Sequence, residues 1–271
     1  MSAPLLARQD EIVFHQYREN LPQALIIAGE DGLDREATVD NLAHAQPSEV
    51  ITIVPEKDKK HISVEQIRAL ISSIRTHALR RRIIIIRLAE HMTEVAQNAL
   101  LKALEEPSHD TIFLLESEEP SLLLPTILSR CQIFTLHRTS ALQDNTLLKQ
   151  SGLDQTSVQQ IRFLAAGRPA LIREFIKTPK KLSERRDIIK HAKTLLGNAS
   201  SYEALAAVYT YSTNRDQALK LIDVIVTLIR FQLTSHGPQP ALTSLLERTE
   251  RTEAALRANG NVKLALLQLT I

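Results

Sequence analysis

The residues with the clearest chemical potential lie in a turn that follows an apolar run at residues 24–28. The turn contains Gly29, Glu30, Asp31, Gly32, Leu33, Asp34, Arg35 and Glu36. An apolar strand that ends in glycine and turns into a helix invites comparison with the phosphate-binding loop G-x-x-x-x-G-K-[ST], whose backbone N–H groups hold phosphates. Gly29 and Gly32 keep plausible turn positions. In place of the motif's second glycine, its lysine and its hydroxyl residue stand Asp34, Arg35 and Glu36.

Two features of the sequence argue against nucleotide hydrolysis. Acidic side chains in the loop would face a polyphosphate, and like charges 4 Å apart repel by about 4 kcal/mol at an effective dielectric constant near 20. A hydrolytic site of this type also needs acidic residues after a buried strand to hold magnesium. After the isoleucines at 83–86 the chain has Arg87 and Leu88 instead. We therefore predict that the chain is not an ATPase.

Composition excludes several other classes of protein. The chain has 271 residues, of which 44% are hydrophobic, so it can bury a sizeable core. No apolar run approaches the roughly 18 residues that span a bilayer, and the N-terminus lacks a signal-peptide pattern, so a cytoplasmic location without a membrane partner is expected. Cys131 is the only cysteine, and the histidines show no metal-ligand spacing, so neither metal nor cofactor is expected. The net charge of +2 and the absence of Trp disfavour general nucleic-acid binding.

Strands and helices alternate in the first half of the chain. Apolar, β-rich runs at 24–28, 50–54, 83–86, 111–115 and, more weakly, 132–136 predict strands. The spacing of apolar residues predicts intervening helices at about 34–45, 63–79 and 93–106, and Ser63 and Gln66 have the spacing of a capping box. Because the central runs are apolar on both faces, this order predicts a parallel sheet covered by helices.

From His137 onward the apolar spacing is helical. The predicted fold is therefore an α/β parallel sheet covered by helices, followed by an all-α lid and an all-α C-terminal domain. The boundaries divide the chain into 1–138, 139–178 and 179–271. The helices of the last part supply more apolar surface than one short bundle needs, which indicates an interface. The residues concerned are Leu219, Ile222, Val226, Ile229, Leu242, Leu245 and Leu246.

Two charged clusters have alternative interpretations. Arg80, Arg81 and Arg82 precede the isoleucine run, and a solvated turn is favoured over a positive surface that faces DNA. Glu105 and Glu106 close a predicted helix. Adjacent helical residues point about 100° apart, so a solvated helix end is favoured over an acid–base pair.

Several phrases in the sequence closely resemble one protein family. Residues 98–102 (NALLK), 104–107 (LEEP), 124–127 (LPTI) and 129–131 (SRC) are similar to bacterial clamp-loader subunits, the AAA+ proteins that open the sliding clamp of the replicative polymerase. The resemblance is strongest over 83–132, fainter over 21–74, and returns at 261–266. The family includes motor ATPase subunits and delta-prime subunits, which often have lost nucleotide binding. The altered loop favours the second kind, although the four-cysteine zinc module of many relatives is absent here.

The resemblance implies a role for Arg130. In the family, the arginine of Ser-Arg-Cys is an arginine finger, which reaches across a subunit interface to the γ-phosphate of ATP bound by a neighbour. A guanidinium suits this role because its charge is permanent and its donors form a planar fork. Ser129 is expected to orient the turn, and Cys131 to be a packing residue rather than a nucleophile. The alternative is that Arg130 pairs with an acidic residue of its own domain.

The function implied by the resemblance is that of a non-catalytic clamp-loader subunit, which supports the assembly and supplies Arg130 to a neighbouring ATPase. The implied partners are the motor ATPase subunit, the delta subunit and, through the assembly, the sliding clamp and primer–template DNA. Two alternatives remain open. One is a working AAA+ ATPase that uses Arg35 in place of lysine. The other is an independent DNA-binding module, which the near-neutral charge disfavours.

Overall fold

The computed structural model describes residues 3–56, 61–74, 81–106, 110–197, 201–237, 239–258 and 260–269. Contacts between residues divide the chain into two compact units, Met1–Glu174 (unit 1) and Phe175–Ile271 (unit 2). The finer division into 1–138, 139–178 and 179–271 stays a prediction. Within the described ranges, no helix is long and apolar enough to cross a membrane.

Unit 1 is built on a five-stranded parallel sheet. Its strands are β1 (Ala24–Ala28), β2 (Glu49–Ile53), β3 (Arg82–Ile86), β4 (Thr111–Ser117) and β5 (Gln132–Thr135). Their order in the sheet is β2-β3-β4-β1-β5, and every neighbouring pair is parallel. The three inner strands, β3, β4 and β1, are buried along their whole length. The predicted fold class, a parallel sheet covered by helices with a helical remainder, is confirmed.

The helices that begin in unit 1 are α1 (Arg8–Glu19), α2 (Arg35–Ala43), α3 (Val64–Ile74), α4 (Glu94–Glu105), α5 (Pro125–Leu128), α6 (Ala141–Lys149), α7 (Gln155–Leu164) and α8 (Pro169–Lys177). Local capping determines where two of them start. At α3, the Ser63 N–H donates to Gln66 Oε1 at 3.0 Å and the Gln66 N–H to Ser63 Oγ at 3.4 Å, which is the predicted capping box. At α4, Thr93 Oγ1 accepts from the Ala96 N–H at 3.2 Å. The predicted end of α3 near Leu79 lies outside the described residues.

The four isoleucines of β3 alternate between two apolar cores. Ile84 and Ile86 pack with α3 and α4 on one face of the sheet, and Ile83 and Ile85 pack with α1 and α2 on the other. Successive side chains of a strand point to opposite faces, so a continuous apolar run is needed where both faces are covered. Each of the four is at most 1% exposed. Burial of one such side chain stabilises the fold by about 1.5–3 kcal/mol, so β3 is a principal anchor of unit 1.

Arg82 does not lie in a solvated turn. It is the first residue of β3 and is 8% exposed; its Nε donates to Glu49 Oε2 at 3.0 Å and its Nη1 to the carbonyl oxygen of Ile74 at 3.2 Å. Glu49 is also its aligned neighbour on β2. The solvated-turn prediction is therefore wrong for Arg82, because the strand begins one residue earlier than predicted. Arg80 lies outside the described residues.

Unit 2 is helical over its described part. After the end of α8, its helices are α9 (Pro179–Leu196), α10 (Ser201–Tyr211), α11 (Arg215–His236), α12 (Pro240–Arg257) and α13 (Val262–Leu267). Ile222 and Ile229 of α11 are fully buried and so add no surface, whereas Leu219 and Val226 are partly exposed; the predicted interface stays a prediction. Exposed large apolar side chains include those of Tyr202, Leu205 and Tyr209 on α10 and Leu264 on α13.

Candidate functional site

The candidate nucleotide site lies at the carboxyl edge of the sheet. Gly29 directly follows β1, and its N–H donates to the carbonyl oxygen of Ser117 at the end of β4 at 3.3 Å. Arg87 directly follows β3. Open parallel sheets bind ligands outside the carboxyl ends of their strands. We define the candidate site as the loop Gly29–Glu36 together with the ends of β3 and β4.

At Gly32 the loop is covered by the first turn of α8. Gly32 has a φ of +88°, a left-handed conformation that favours glycine. Its carbonyl oxygen accepts hydrogen bonds from the N–H groups of Ala170 at 2.9 Å and Leu171 at 3.3 Å. These donors belong to the N–H groups that a helix start leaves without an intrahelical partner. A Cβ at Gly32 would lie 2.9 Å from Leu171 Cβ, so the packing itself requires glycine.

Asp34 anchors three segments of the chain. Its Oδ2 accepts from the Leu5 N–H at 2.7 Å and pairs with Nη1 of Arg173 on α8. The Asp34 side chain is 2% exposed. The motif glycine at this position would let a phosphate approach the backbone. Here a buried carboxylate instead ties the loop to the N-terminal segment and to α8.

Arg35, at the position of the motif lysine, is directed at carboxylates. Its Nη2 donates to Glu118 Oε1 at 2.8 Å, and its Nε lies 4.0 Å from Glu116 Oε1. The side chain is 7% exposed. Among the described residues, its Nη1 has no hydrogen-bond partner. The charge of Arg35 is therefore compensated mainly by acidic residues at the end of β4.

Arg87 occupies the position at which a magnesium-binding carboxylate would follow β3. Its Nη2 lies 2.6 Å from Asp40 Oδ1, and its Nη1 lies 2.9 Å from Glu116 Oε2. The Glu36 carboxylate, which is largely exposed, lies 3.8 Å from Arg87 Nη2. Asp40 belongs to α2 and Glu116 to β4, so one guanidinium links β3, β4 and α2.

Burial and ion pairing oppose each other in this cluster. Burial raises the pKa of Glu116; Arg35 and Arg87 lower it, but the net pKa stays above the ordinary value. Burial lowers the pKa of Arg87, and the carboxylates of Asp40 and Glu116 more than offset this effect, so its net pKa is raised. The charged form of Glu116 therefore depends on its two cationic partners.

The cluster carries an excess of negative charge. Two guanidiniums face four carboxylates, a formal balance of −2 for Arg35, Arg87, Glu36, Asp40, Glu116 and Glu118. A polyphosphate would add further negative charge at short range and would have to displace ion pairs already made within the chain. This arrangement favours the predicted loss of nucleotide binding.

The sequence pattern singles out Arg87 but does not reveal its pairing with Asp40 and Glu116. A usable signal existed for Glu116, because Arg87 and Glu116 stand at the ends of two buried strands, and parallel strands end at the same edge of a sheet. No local pattern indicates Arg173, which is 139 residues away from Asp34.

Arg130, the second predicted site, lies between α5 and β5. Its side chain is 34% exposed, and its Nη2 lies 2.5 Å from Oε1 of Glu105, the last residue of α4. Its Nη1 donates to the carbonyl oxygen of Thr126 at 2.9 Å and to Ser129 Oγ at 3.3 Å. The structure thus contains the intradomain ion pair that the sequence left open as an alternative. Glu105 and Glu106 are both exposed at the end of α4, so the predicted solvated helix end is confirmed, and Glu105 in addition pairs with Arg130. The finger role of Arg130 stays a prediction.

Side-chain hydrogen bonds hold the short segment that carries Arg130. Ser129 Oγ donates to the carbonyl oxygen of Thr126 at 3.1 Å. Gln97, a buried residue of α4, accepts from the Leu124 N–H at 2.7 Å and donates to the carbonyl oxygen of Met92 at 3.2 Å. Gln97 thereby connects α4 to the start of α5, a role that no pattern in the sequence predicts.

Cys131 is half-buried and packs against the apolar core beneath α5. Burial raises the pKa of its thiol to about 11. The thiolate is the reactive form of cysteine, so this thiol is a poor nucleophile at neutral pH. In the part of the chain that the structure describes, no group of three or more His, Cys, Asp or Glu residues could hold a metal ion.

Comparisons with known proteins find similarity to subunits of DNA polymerase III. The family model described as "DNA polymerase III, delta subunit" matches residues 36–140. DNA polymerase III subunit delta' of Pseudomonas aeruginosa is 46% identical over 92 residues, which are 33% of this chain and 28% of that protein. DNA polymerase III subunit delta' of Escherichia coli K12 is 27% identical over 197 residues, 72% of this chain and 57% of that protein. The chain thus spans less than two thirds of the length of these relatives.

Solved structures are similar to this chain in fold. A RuvB variant from Thermotoga maritima aligns with 98% of this chain and 91% of its own length, with a TM-score of 0.54 and 13% sequence identity. At this identity the likeness concerns the AAA+ fold alone. The matched residues and the named relatives show that part of this chain is similar in sequence to DNA polymerase III delta-prime subunits.

Proposed function

We propose that the chain is a non-catalytic clamp-loader subunit, which stabilises the assembly and presents Arg130 to ATP bound by a neighbouring ATPase subunit. The observation that carries the non-catalytic part is the pairing of Arg87 with Asp40 and Glu116 at the end of β3. Phosphoryl transfer needs a magnesium-binding carboxylate there. A guanidinium at that position cannot hold a cation.

The loop supports the same proposal. Backbone contact with phosphates requires an accessible loop, but Gly32 is covered by the start of α8 and Asp34 is paired with Arg173. The rival function, ATP hydrolysis with Arg35 in place of lysine, needs Arg35 free to meet phosphates. The Arg35 side chain is only 7% exposed, and its Nη2 donates instead to Glu118.

Arg130 has the properties that an arginine finger requires. It lies on a surface segment, and the contacts that its guanidinium makes with described residues lie at the surface. Such contacts are weak in water, so a stronger anion on a neighbouring subunit can replace them. The charge and planar fork of arginine match the charge that develops on a transferring phosphoryl group.

The proposed partners are a motor ATPase subunit, which would receive Arg130, and the delta subunit. The sliding clamp and primer–template DNA would be met through the assembly. Unit 2 would supply subunit contacts, and its exposed side chains on α10 and α13 (Tyr202, Leu205, Tyr209 and Leu264) are suited to burial against another chain.

Isothermal titration of the purified chain with Mg·ATP tests the loss of nucleotide binding. We expect no binding heat at millimolar ATP, with a clamp-loader motor subunit titrated in parallel as the positive control. A dissociation constant in the micromolar range, or steady-state ATP hydrolysis by the chain alone, would refute the non-catalytic proposal.

Arg130→Ala in a reconstituted clamp loader tests the finger. We expect co-purification to be unchanged and hydrolysis at the one ATP site that Arg130 faces to fall by about 10³-fold, the lower range for arginine fingers in other phosphoryl-transfer proteins. Arg130→Lys keeps the charge but loses the fork, so it should restore little activity. Single-turnover hydrolysis equal to that of the unmodified assembly would exclude the finger.

A further inference from the structure

Glu105 occupies a helix position at which a negative charge is unfavourable. It is the last residue of α4, at the end of the helix dipole that is partially negative. A carboxylate at this end is unfavourable for the helix, whereas a cation is favourable. The Arg130 guanidinium, 2.5 Å from Glu105 Oε1, supplies that cation.

The contacts of Arg130 use both of its terminal nitrogens. Nη2 donates to Glu105, and Nη1 donates to the carbonyl oxygen of Thr126 and to Ser129 Oγ. Both N–H groups of Nη1 and one of the two on Nη2 are thus engaged within the chain. A phosphate that binds across Nη1 and Nη2 must therefore displace part of this set, and the negative charge of Glu105 beside Nη2 opposes its approach.

We propose that Glu105 is the resting partner of Arg130, an internal anion that must be exchanged for the γ-phosphate of a neighbouring subunit's ATP before the finger acts. This inference rests on the proposed finger role. It makes Glu105 a positioning residue that sets how often Arg130 is available. The exchange involves no covalent change, because one anion replaces another at the same guanidinium.

The size of the effect follows from the exposure of the pair. The side chains of Arg130 and Glu105 are 34% and 47% exposed, so water screens their attraction. An exposed ion pair of this kind shifts an equilibrium by no more than about fivefold. Removal of the Glu105 charge should therefore increase the availability of Arg130 by about two- to fivefold and leave its contact with Thr126 in place.

The test compares Glu105→Gln, Arg130→Ala and the double variant in the reconstituted clamp loader. The readout is single-turnover hydrolysis of ATP with clamp and primed DNA present, because product release does not limit it. Glu106→Gln is the matched control, since it removes the same charge from the adjacent, exposed position. Thermal unfolding of each purified chain, followed by circular dichroism, checks that the variants are folded.

We expect Glu105→Gln to raise the single-turnover rate two- to fivefold, Glu106→Gln to leave it unchanged, and the double variant to match Arg130→Ala. If Arg130→Ala lowers the rate while Glu105→Gln has no effect or lowers it, the resting-partner inference is overturned and the finger role stands. If Arg130→Ala itself has no effect, the proposed function fails. An increase with Glu105→Gln that persists in the Arg130→Ala background would also overturn the inference, because Glu105 would then act through another residue.

Discussion

Replacement of Arg87 by Met tests whether the altered site is held together by its own ion pairs. The substitution keeps most of the aliphatic length of the side chain and removes the guanidinium that links β3 with Asp40 on α2 and Glu116 on β4. Of its two cationic partners among the described residues, Glu116 then keeps the more distant, Arg35, 4.0 Å away. We expect unit 1 to lose stability.

The magnitude follows from the burial of the three side chains. Removal of one partner of a buried ion pair costs about 3–5 kcal/mol, because the other charge stays buried without compensation. The side chains of Arg87 and Asp40 are 17% and 24% exposed, so water compensates part of this loss, whereas Glu116 is 8% exposed. We therefore expect Arg87→Met to lower the free energy of unfolding by about 2–3 kcal/mol at pH 7.5.

The loss should depend on pH in a defined direction. The folded-state pKa of Glu116 is raised, so its contribution to stability is fully present below its unfolded-state pKa and is lost as the pH rises through the folded-state value. Arg87 limits that loss by stabilising the carboxylate. Without Arg87 the pKa of Glu116 rises further, and the carboxylate becomes more costly at neutral pH. The difference between the two proteins should therefore be largest near pH 7.5 and shrink toward pH 4.5.

Hydrogen exchange measured by mass spectrometry on peptides from β3 and β4 resolves unit 1 from unit 2. Urea unfolding followed by circular dichroism provides an independent value. Arg68→Met, which removes an exposed arginine from α3, is the matched control and should change stability by less than about 0.5 kcal/mol. A loss below about 1 kcal/mol at pH 7.5, or a loss that is the same at both pH values, would refute the reasoning.

Two further predictions concern single residues. Gly32→Ala should destabilise unit 1 by about 1–3 kcal/mol, because its φ of +88° and the 2.9 Å approach to Leu171 Cβ both oppose a side chain; an unchanged urea midpoint would show that the loop does not depend on this packing. Alkylation of Cys131 by iodoacetamide should be slow at pH 7.5 and rise about tenfold per pH unit up to about pH 10, because burial raises the pKa of the thiol to about 11. A plateau in the alkylation rate near pH 9 would show that burial does not raise the pKa of the Cys131 thiol.

Sequence patterns predicted the elements of this fold because the signals are local. The four isoleucines at 83–86 form a strand that is buried on both faces, and the spacing of Ser63 and Gln66 begins α3 as a capping box. The loss of the phosphate-loop motif at Asp34, Arg35 and Glu36 is likewise visible without a structure. Each of these inferences depends on neighbours a few residues apart.

Only the tertiary structure decided the partners of the charged residues. Arg87 pairs with Glu116, 29 residues away, because β3 and β4 are neighbours in the sheet, and Arg130 pairs with Glu105, 25 residues away, because α4 contacts α5. The apolar positions of α11 likewise divide only in the structure, where Ile222 and Ile229 are fully buried and Leu219 and Val226 are partly exposed. Spacing along a helix identifies an apolar face but not what covers it. The sequence by itself thus determined which site residues are altered, and the packing of strands and helices determined what each of them contacts.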